Sequence, residues 1–139
     1  MATFKYTIIL LFIGFTGLFA QQKIGEANVE NFEKFVTDVY ADAAEDAIKN
    51  NQKSIDFYKG ILDRIVFYEA TSFPDNLPTI NMDKVYKIEH YNPNLEFNLP
   101  EDYKEFNPYK YKLNTYNTKT VYYYSDNTSY IIGLLPISK

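Results

Sequence analysis

The sequence has no cysteine and no tryptophan, and its single histidine is His90. Without cysteine the chain can form neither disulfides nor thiolate metal sites. The motifs G-x-S-x-G and H-E-x-x-H and a glycine-rich phosphate loop are also missing. We therefore predict no catalytic residue, no metal ligand and no cofactor. His90 lies beside Glu89 and Tyr91, and we interpret it as an ordinary loop or strand-end residue, with a general base as the alternative.

Positive charge is scarce and scattered. The chain has 14 Lys and Arg residues against 18 Asp and Glu residues, for a formal net charge of −4. Because no basic cluster occurs, the composition argues against nucleic acid or an anionic membrane as a partner. Glu101, Asp102 and Glu105 lie close together but lack the spacing of a calcium-binding loop. We interpret them as a solvated loop, and paired-carboxylate hydrolysis stays open as an alternative function.

The first 20 residues have the pattern of a secretory signal peptide. Lys5 precedes an apolar run at 7–19, and polarity returns abruptly after Ala20. The run is shorter than the roughly 20 apolar residues that a membrane-spanning helix needs. We therefore predict an exported protein, periplasmic or extracellular, with no transmembrane segment once residues 1–20 are removed. An uncleaved N-terminal anchor is the alternative.

Cleavage is expected near the junction of Ala20 and Gln21, because the apolar run is short and polarity returns at that point. Intact-mass measurement of the protein recovered from the envelope should give a chain that starts near Gln21. Finding Met1 still attached in the mature form would contradict this prediction and favour the anchor.

Apolar residues recur at helical spacing from Val29 onwards. The pattern stops at 49–53, where no residue is apolar. An unbroken helix from Val29 to Tyr68 would be roughly 60 Å long, which is too long for one small domain to bury. We therefore predict two helices with a break near Asn50 and Asn51.

Local signals indicate where these elements begin and end. Asn28 suits the N-cap of the first helix, and either Asn51 or Ser54 suits the N-cap of the second. The residues that follow the second helix are β-branched and aromatic, so we predict a strand at 64–70. The alternative is a helix that continues through Tyr68.

Prolines interrupt the middle of the chain, at about 71–108, and we interpret this region as loops. The run without proline at 81–91 is consistent with a short strand. Two copies of aromatic-Asn-Pro occur, at 91–93 and 106–108. We interpret both as loop staples, in which the aromatic ring anchors the loop, Asn forms a side-chain turn and Pro fixes the next φ.

The C-terminal stretch at 109–135 is dense in Tyr, Thr, Val and Ile, which favour strands. Polar interruptions divide it into a predicted antiparallel meander with strands at about 109–115, 119–125 and 128–135. If 126–127 is a two-residue turn, Tyr123 pairs with Tyr130.

This hairpin has two apolar faces. One face carries Val121, Tyr123, Tyr130, Ile132 and Leu134, and the other carries Tyr122, Tyr124, Ile131 and Leu135. Either the helices or the middle loop cover the second face, or it is a contact surface. We take Tyr122, Tyr124 and Ile131 as candidate binding residues.

The prediction for residues 21–139 is a single α+β domain with a Pro-rich loop region at about 71–108. N-terminal helices pack on a small, mainly antiparallel sheet that ends in the C-terminal three-stranded meander. The expected function is a non-catalytic binding or protein-interaction module of the cell envelope, with an envelope protein as its partner. A small carboxylate-dependent hydrolase is the alternative.

Four short segments carry a resemblance: Phe-Ala-Gln-Gln at 19–22, the residues at 91–95 and 106–111, and Asp-Asn-Thr-Ser-Tyr-Ile-Ile at 126–132. Together with Pro136 they resemble small exported proteins of Bacteroidetes-type bacteria that are known only as hypothetical proteins. The resemblance implies an exported location. It supplies no functional residues and therefore points to no particular activity.

Overall fold

The computed structural model describes residues 21–89 and 92–138. The main elements are α1 (Phe32–Tyr40), α2 (Gln52–Asp63), β1 (Lys23–Glu26), β2 (Ile65–Glu69), β3 (Ile80–Asn81), β4 (Val121–Tyr124) and β5 (Tyr130–Leu134). The strands form one sheet in the order β1-β2-β5-β4-β3, and only β3 and β4 are parallel. The α+β class is confirmed. The predicted signal peptide, His90 and Tyr91 lie outside the described residues.

The predicted break between the two helices is confirmed. Asn51 immediately precedes α2, and its Oδ1 accepts hydrogen bonds from the backbone N–H groups of Lys53 at 3.0 Å and Ser54 at 3.4 Å. These bonds satisfy two of the N–H groups that a helix leaves unpaired at its start. Asn51 is therefore the N-cap, and Ser54 lies inside the helix.

A second break, at Ala41, was not predicted. α1 ends at Tyr40, and Ala41 has a φ of 47°, a left-handed value that residues with a Cβ rarely adopt. A π-helical segment, Glu45–Lys49, follows before α2 begins. Alanine is the best helix former, so its propensity gives no sign of this break.

None of the helices in the described part of the chain is long and apolar enough to cross a bilayer.

The strand predicted at 64–70 is confirmed as β2, and the helical alternative through Tyr68 is wrong. β2 pairs with β1 on one side and with β5 on the other. Its alternate residues Ile65 and Phe67 are fully buried. Burial of these residues on the core face places Val66 and Tyr68 on the other face of the sheet.

The predicted three-stranded meander is not what the structure shows. The segment at 109–115, predicted as its first strand, contains a 3₁₀ turn at Pro108–Lys110 and only one antiparallel bridge, between Tyr111 and Lys87. The C-terminal strands are therefore a hairpin of β4 and β5. The third partner in this part of the sheet is β2, which pairs with the other edge of β5.

The register of the hairpin also differs from the prediction. Tyr123 pairs with Ile132 rather than with Tyr130. The turn is longer than two residues, and within it Thr128 N–H donates to the Ser125 carbonyl at 3.3 Å. A shift by an even number of positions leaves every side chain on its predicted face, because side chains alternate along a strand. The assignment of residues to the two faces therefore survives the register error.

Buried residues of both helices and of the sheet belong to one core cluster. Its members include Phe32, Phe35, Val36, Val39, Ile61, Leu62, Ile65, Phe67, Tyr123, Tyr130, Ile132 and Leu134. Three tyrosines of this core hold the irregular middle of the chain or α2 through their hydroxyls. Tyr109 donates to the Tyr58 carbonyl at 2.6 Å, Tyr111 to that of Phe97 at 2.8 Å and Tyr130 to that of Pro100 at 2.7 Å. Burial raises the pKa of the Tyr111 hydroxyl to about 12.

Both aromatic-Asn-Pro motifs attach a loop to α1. The Nδ2 of Asn107 donates to the Phe35 carbonyl at 3.0 Å, and the Nδ2 of Asn92 donates to the Asp38 carbonyl at 2.8 Å. The Asp38 carbonyl lies in the last turn of α1, where carbonyls lack a partner within the helix. The Asn side chains of both motifs therefore hold their loops as predicted, and the Phe106 ring of the second motif is 1% exposed, as expected for an anchor. The ring of Tyr91 in the first motif lies outside the described residues.

Candidate binding groove on the second sheet face

Three aromatic rings cover the middle of the second sheet face. Tyr68 of β2 and Tyr122 of β4 lie on either side of Gly133, with ring centroids 5.9 Å apart. Phe73, from the loop after β2, packs on Tyr122 at 4.8 Å and on Tyr68 at 6.1 Å. A Cβ at Gly133 would lie only 2.8 Å from the Tyr68 ring, so glycine leaves the space in which the rings meet. The middle loop therefore covers part of the second face.

This arrangement changes the roles of the three predicted contact residues. Tyr122 is half-buried in the ring cluster, so it helps to hold the loop on the sheet. Ile131 is 6% exposed and offers little surface to a partner. Tyr124 is half-buried, and its ring is not one of the three in that cluster.

A groove of about 420 Å³ lies between the loop after β2 and the β4–β5 hairpin, and we call it the hairpin groove. Its loop side includes Pro74, Asp75 and Leu77, and its hairpin side includes Tyr124, Asp126 and Thr128. The structure thus brings Tyr124 and Ile131 to one groove. Tyr122 lines a different cavity, of about 220 Å³, together with Pro78 and Ile80.

Tyr124 differs from the tyrosines of the core in its hydroxyl. Within the described residues this hydroxyl makes no hydrogen bond, whereas those of Tyr109, Tyr111 and Tyr130 each donate to a backbone carbonyl. The Tyr124 side chain therefore offers an apolar ring and a polar group that no described residue uses. A tyrosine of this kind is typical of contact surfaces.

The charged residues of the groove are both acidic. Asp75 contributes from the loop and Asp126 from the turn of the hairpin, and both are exposed. Among residues 21–89 and 92–138, neither aspartate forms an ion pair, and no lysine or arginine lines the groove. A ligand in the groove therefore meets negative charge from both sides.

Two of the three acidic residues singled out at 101–105 have local structural roles. Asp102 begins a short 3₁₀ turn, and its side chain accepts a hydrogen bond from Lys104 N–H at 3.0 Å. Glu105 forms an ion pair with Lys34 of α1. In the described part of the chain, no group of three or more His, Asp or Glu residues could hold a metal ion.

From the sequence, the middle loop was one possible cover for the second face, but no residue at 73–77 was predicted as part of a site. A signal was present, because Phe73 and Pro74 form an aromatic-Pro step shortly after the predicted strand. Such a step fixes the backbone beside a bulky ring, and here it places Phe73 on Tyr122. The sequence contains no sign of which strand that ring would cover.

Comparison with protein-family models, with curated proteins and with solved structures finds no match to this chain. The comparisons therefore supply no family, no fold relative and no ligand.

Proposed function

We propose that this protein is an exported, non-catalytic binding module of the cell envelope, and that the hairpin groove is its contact site for another protein. The observation that carries the proposal is the position of Tyr124, which lines an open groove of about 420 Å³ with a hydroxyl that no described residue engages. The N-terminal helices, which in this proposal pack on the opposite sheet face, serve as the scaffold.

Both sides of the groove are well placed for recognition. The loop side is held on the sheet by the Phe73 ring, and the hairpin side is the turn that connects the paired strands β4 and β5 together with the end of β4. A groove whose walls are already ordered loses little conformational entropy when a partner binds. Tyrosine adds a large rigid contact area at low entropic cost. The exported location rests on the leader pattern at 1–20 and on the resemblance to exported Bacteroidetes-type proteins.

Photocrosslinking at Tyr124 tests this proposal. A photoreactive phenylalanine analogue at position 124, in protein expressed in its native envelope, is expected to give one major product with a protein partner. The matched control is the same analogue at Tyr116, which is 76% exposed and does not line the groove. Mass spectrometry identifies the partner. Equal labelling at both positions, or none at 124, would contradict the proposed site.

A substitution separates binding from folding. We expect Tyr124→Ser to reduce co-purification with the crosslinked partner to background while the thermal midpoint stays close to that of wild type. Tyr116→Ser should change neither quantity. Tyr122 is left intact, because its ring supports the loop and its loss would confound the two effects.

The alternative function is a small carboxylate-dependent hydrolase, and one observation favours it. Asp75 and Asp126 line the same groove from its two sides, as paired carboxylates do in glycoside hydrolases. Turnover of a panel of aryl glycosides that is lost in both Asp75→Asn and Asp126→Asn would support this alternative. A panel that shows no turnover by wild type would leave the binding module as the better description.

A further inference from the structure

We propose that the hairpin groove recognises the cationic side chain of a lysine or arginine on an extended segment of the partner protein. This inference rests on the proposed function and names the chemistry of the partner. Its basis is the juxtaposition in one open groove of two aspartates that form no ion pair with a described residue, a tyrosine ring and apolar loop residues.

The charges of the groove favour a cation. Asp75 and Asp126 line it from opposite sides, and neither has a basic partner among the described residues. Both carboxylates are exposed, so each attracts a positive group with the modest strength of a surface charge, and the two act on the same ligand. An acidic or phosphorylated segment would be repelled by the same two groups.

The uncharged part of the groove suits the rest of a lysine or arginine side chain. A cation over the face of a tyrosine ring is attracted by the negative π-surface, and Tyr124 supplies such a ring. The aliphatic stem of the same side chain can pack along Pro74 and Leu77, which line the loop side. A short neutral or purely apolar side chain would leave both aspartates without a partner.

The sheet itself does not offer an edge at this place. β4 pairs with β5 on one side and with β3 on the other, at Ile80 and Asn81. A partner strand therefore cannot extend the sheet beside Tyr124, and the main chain of the partner supplies little of the specificity. Recognition therefore depends on a side chain of the partner that enters the groove, and the charge of that side chain determines whether it binds.

Binding of three short peptides to isotopically labelled protein tests the inference. The probes are the acetylated and amidated tripeptides Ala-Lys-Ala, Ala-norleucine-Ala and Ala-Glu-Ala, each titrated by NMR at low salt. We expect Ala-Lys-Ala to shift the amide signals of the groove, those of Ala70, Asp126 and Thr128 among them. The norleucine peptide has the same stem without the charge, so it should bind at least about threefold more weakly, and the Glu peptide should not bind.

Variants assign the effect to the two aspartates. Asp75→Asn and Asp126→Asn are each expected to weaken binding of Ala-Lys-Ala about two- to fivefold, the range for a surface ion pair. Asp42→Asn removes an exposed carboxylate that does not line the groove, so it should leave the affinity unchanged. Raising the salt concentration should weaken binding to wild type more than binding to the double Asn variant.

Two outcomes overturn this inference, and they are distinguishable from failure of the proposed function. Equal binding of the lysine and norleucine peptides, or no effect of either Asn substitution, shows that charge does not select the ligand. If the Tyr124 crosslink is nevertheless retained, the groove is still the contact site and only the cationic partner is wrong. If no peptide shifts the groove signals and the crosslink is absent, both proposals fail.

Discussion

Replacing Tyr123 by alanine is expected to lower the free energy of unfolding by about 3–5 kcal/mol, the range for removing a large buried aromatic side chain. Tyr123 is 2% exposed and lies on the core face of β4, where it pairs with Ile132. Its hydroxyl accepts a hydrogen bond from Asn114 N–H at 2.9 Å. The substitution therefore leaves a cavity in the core and also releases the segment that follows Leu113.

Chemical denaturation of wild type and variants measures this effect. Tyr123→Phe keeps the ring and removes only the hydroxyl, so it should cost about 1 kcal/mol, the usual net value of one hydrogen bond. Tyr124→Ala changes the neighbouring, half-buried tyrosine and should cost less than Tyr123→Ala. A denaturation midpoint of Tyr123→Ala within error of wild type would show that β4 presents its other face to the core.

Replacing Arg64 by methionine is expected to lower the free energy of unfolding by about 2–4 kcal/mol, because several acceptors lose a charged donor at once. The guanidinium donates to the Thr115 carbonyl at 2.9 Å, to Asn117 Oδ1 at 3.1 Å and to the Leu135 carbonyl at 3.2 Å. Its Nε also donates to the Gly60 carbonyl at 3.3 Å. One side chain thus joins the end of α2 to the segment after Leu113 and to the C-terminal residues.

Controls separate the hydrogen bonds of Arg64 from its packing. Methionine keeps most of the aliphatic stem, so the loss reports mainly on the polar contacts. Arg64→Lys keeps the charge but not the planar fork, and we expect it to recover only part of the loss. Burial lowers the pKa of the guanidinium, yet arginine stays charged at ordinary pH, so the effect should not depend on pH between 5 and 9. Equal stability of wild type and Arg64→Met would contradict the role of Arg64 as a junction.

Elements that are encoded locally could be predicted from the sequence. Asn51 caps α2 because its side chain reaches N–H groups only two and three residues away. β2 follows from a short run of β-branched and aromatic residues directly after a helix. The two faces of the hairpin follow from alternation, which a register shift of two positions does not alter.

Elements that depend on distant partners could not be predicted. Tyr111 lies in a strand-like run, yet its one bridge is to Lys87, which the local pattern does not indicate. Tyrosines of the core and of the groove also look alike in sequence. The Tyr130 hydroxyl differs from that of Tyr124 only because the Pro100 carbonyl lies within reach of it. The candidate groove depends on Pro74 and Asp75 lying opposite the hairpin, a long-range arrangement that the local sequence does not indicate.

The position of β5 has a consequence for the order in which the chain can fold. β5 is the last strand in the sequence, yet it occupies the centre of the sheet, between β2 and β4. Until the residues Tyr130–Leu134 have been synthesised, β2 and β4 have no strand to connect them, and the two halves of the sheet cannot assemble. The complete sheet therefore forms only when Tyr130–Leu134 is in place, and until then the edges of β2 and β4 that pair with β5 stay unpaired.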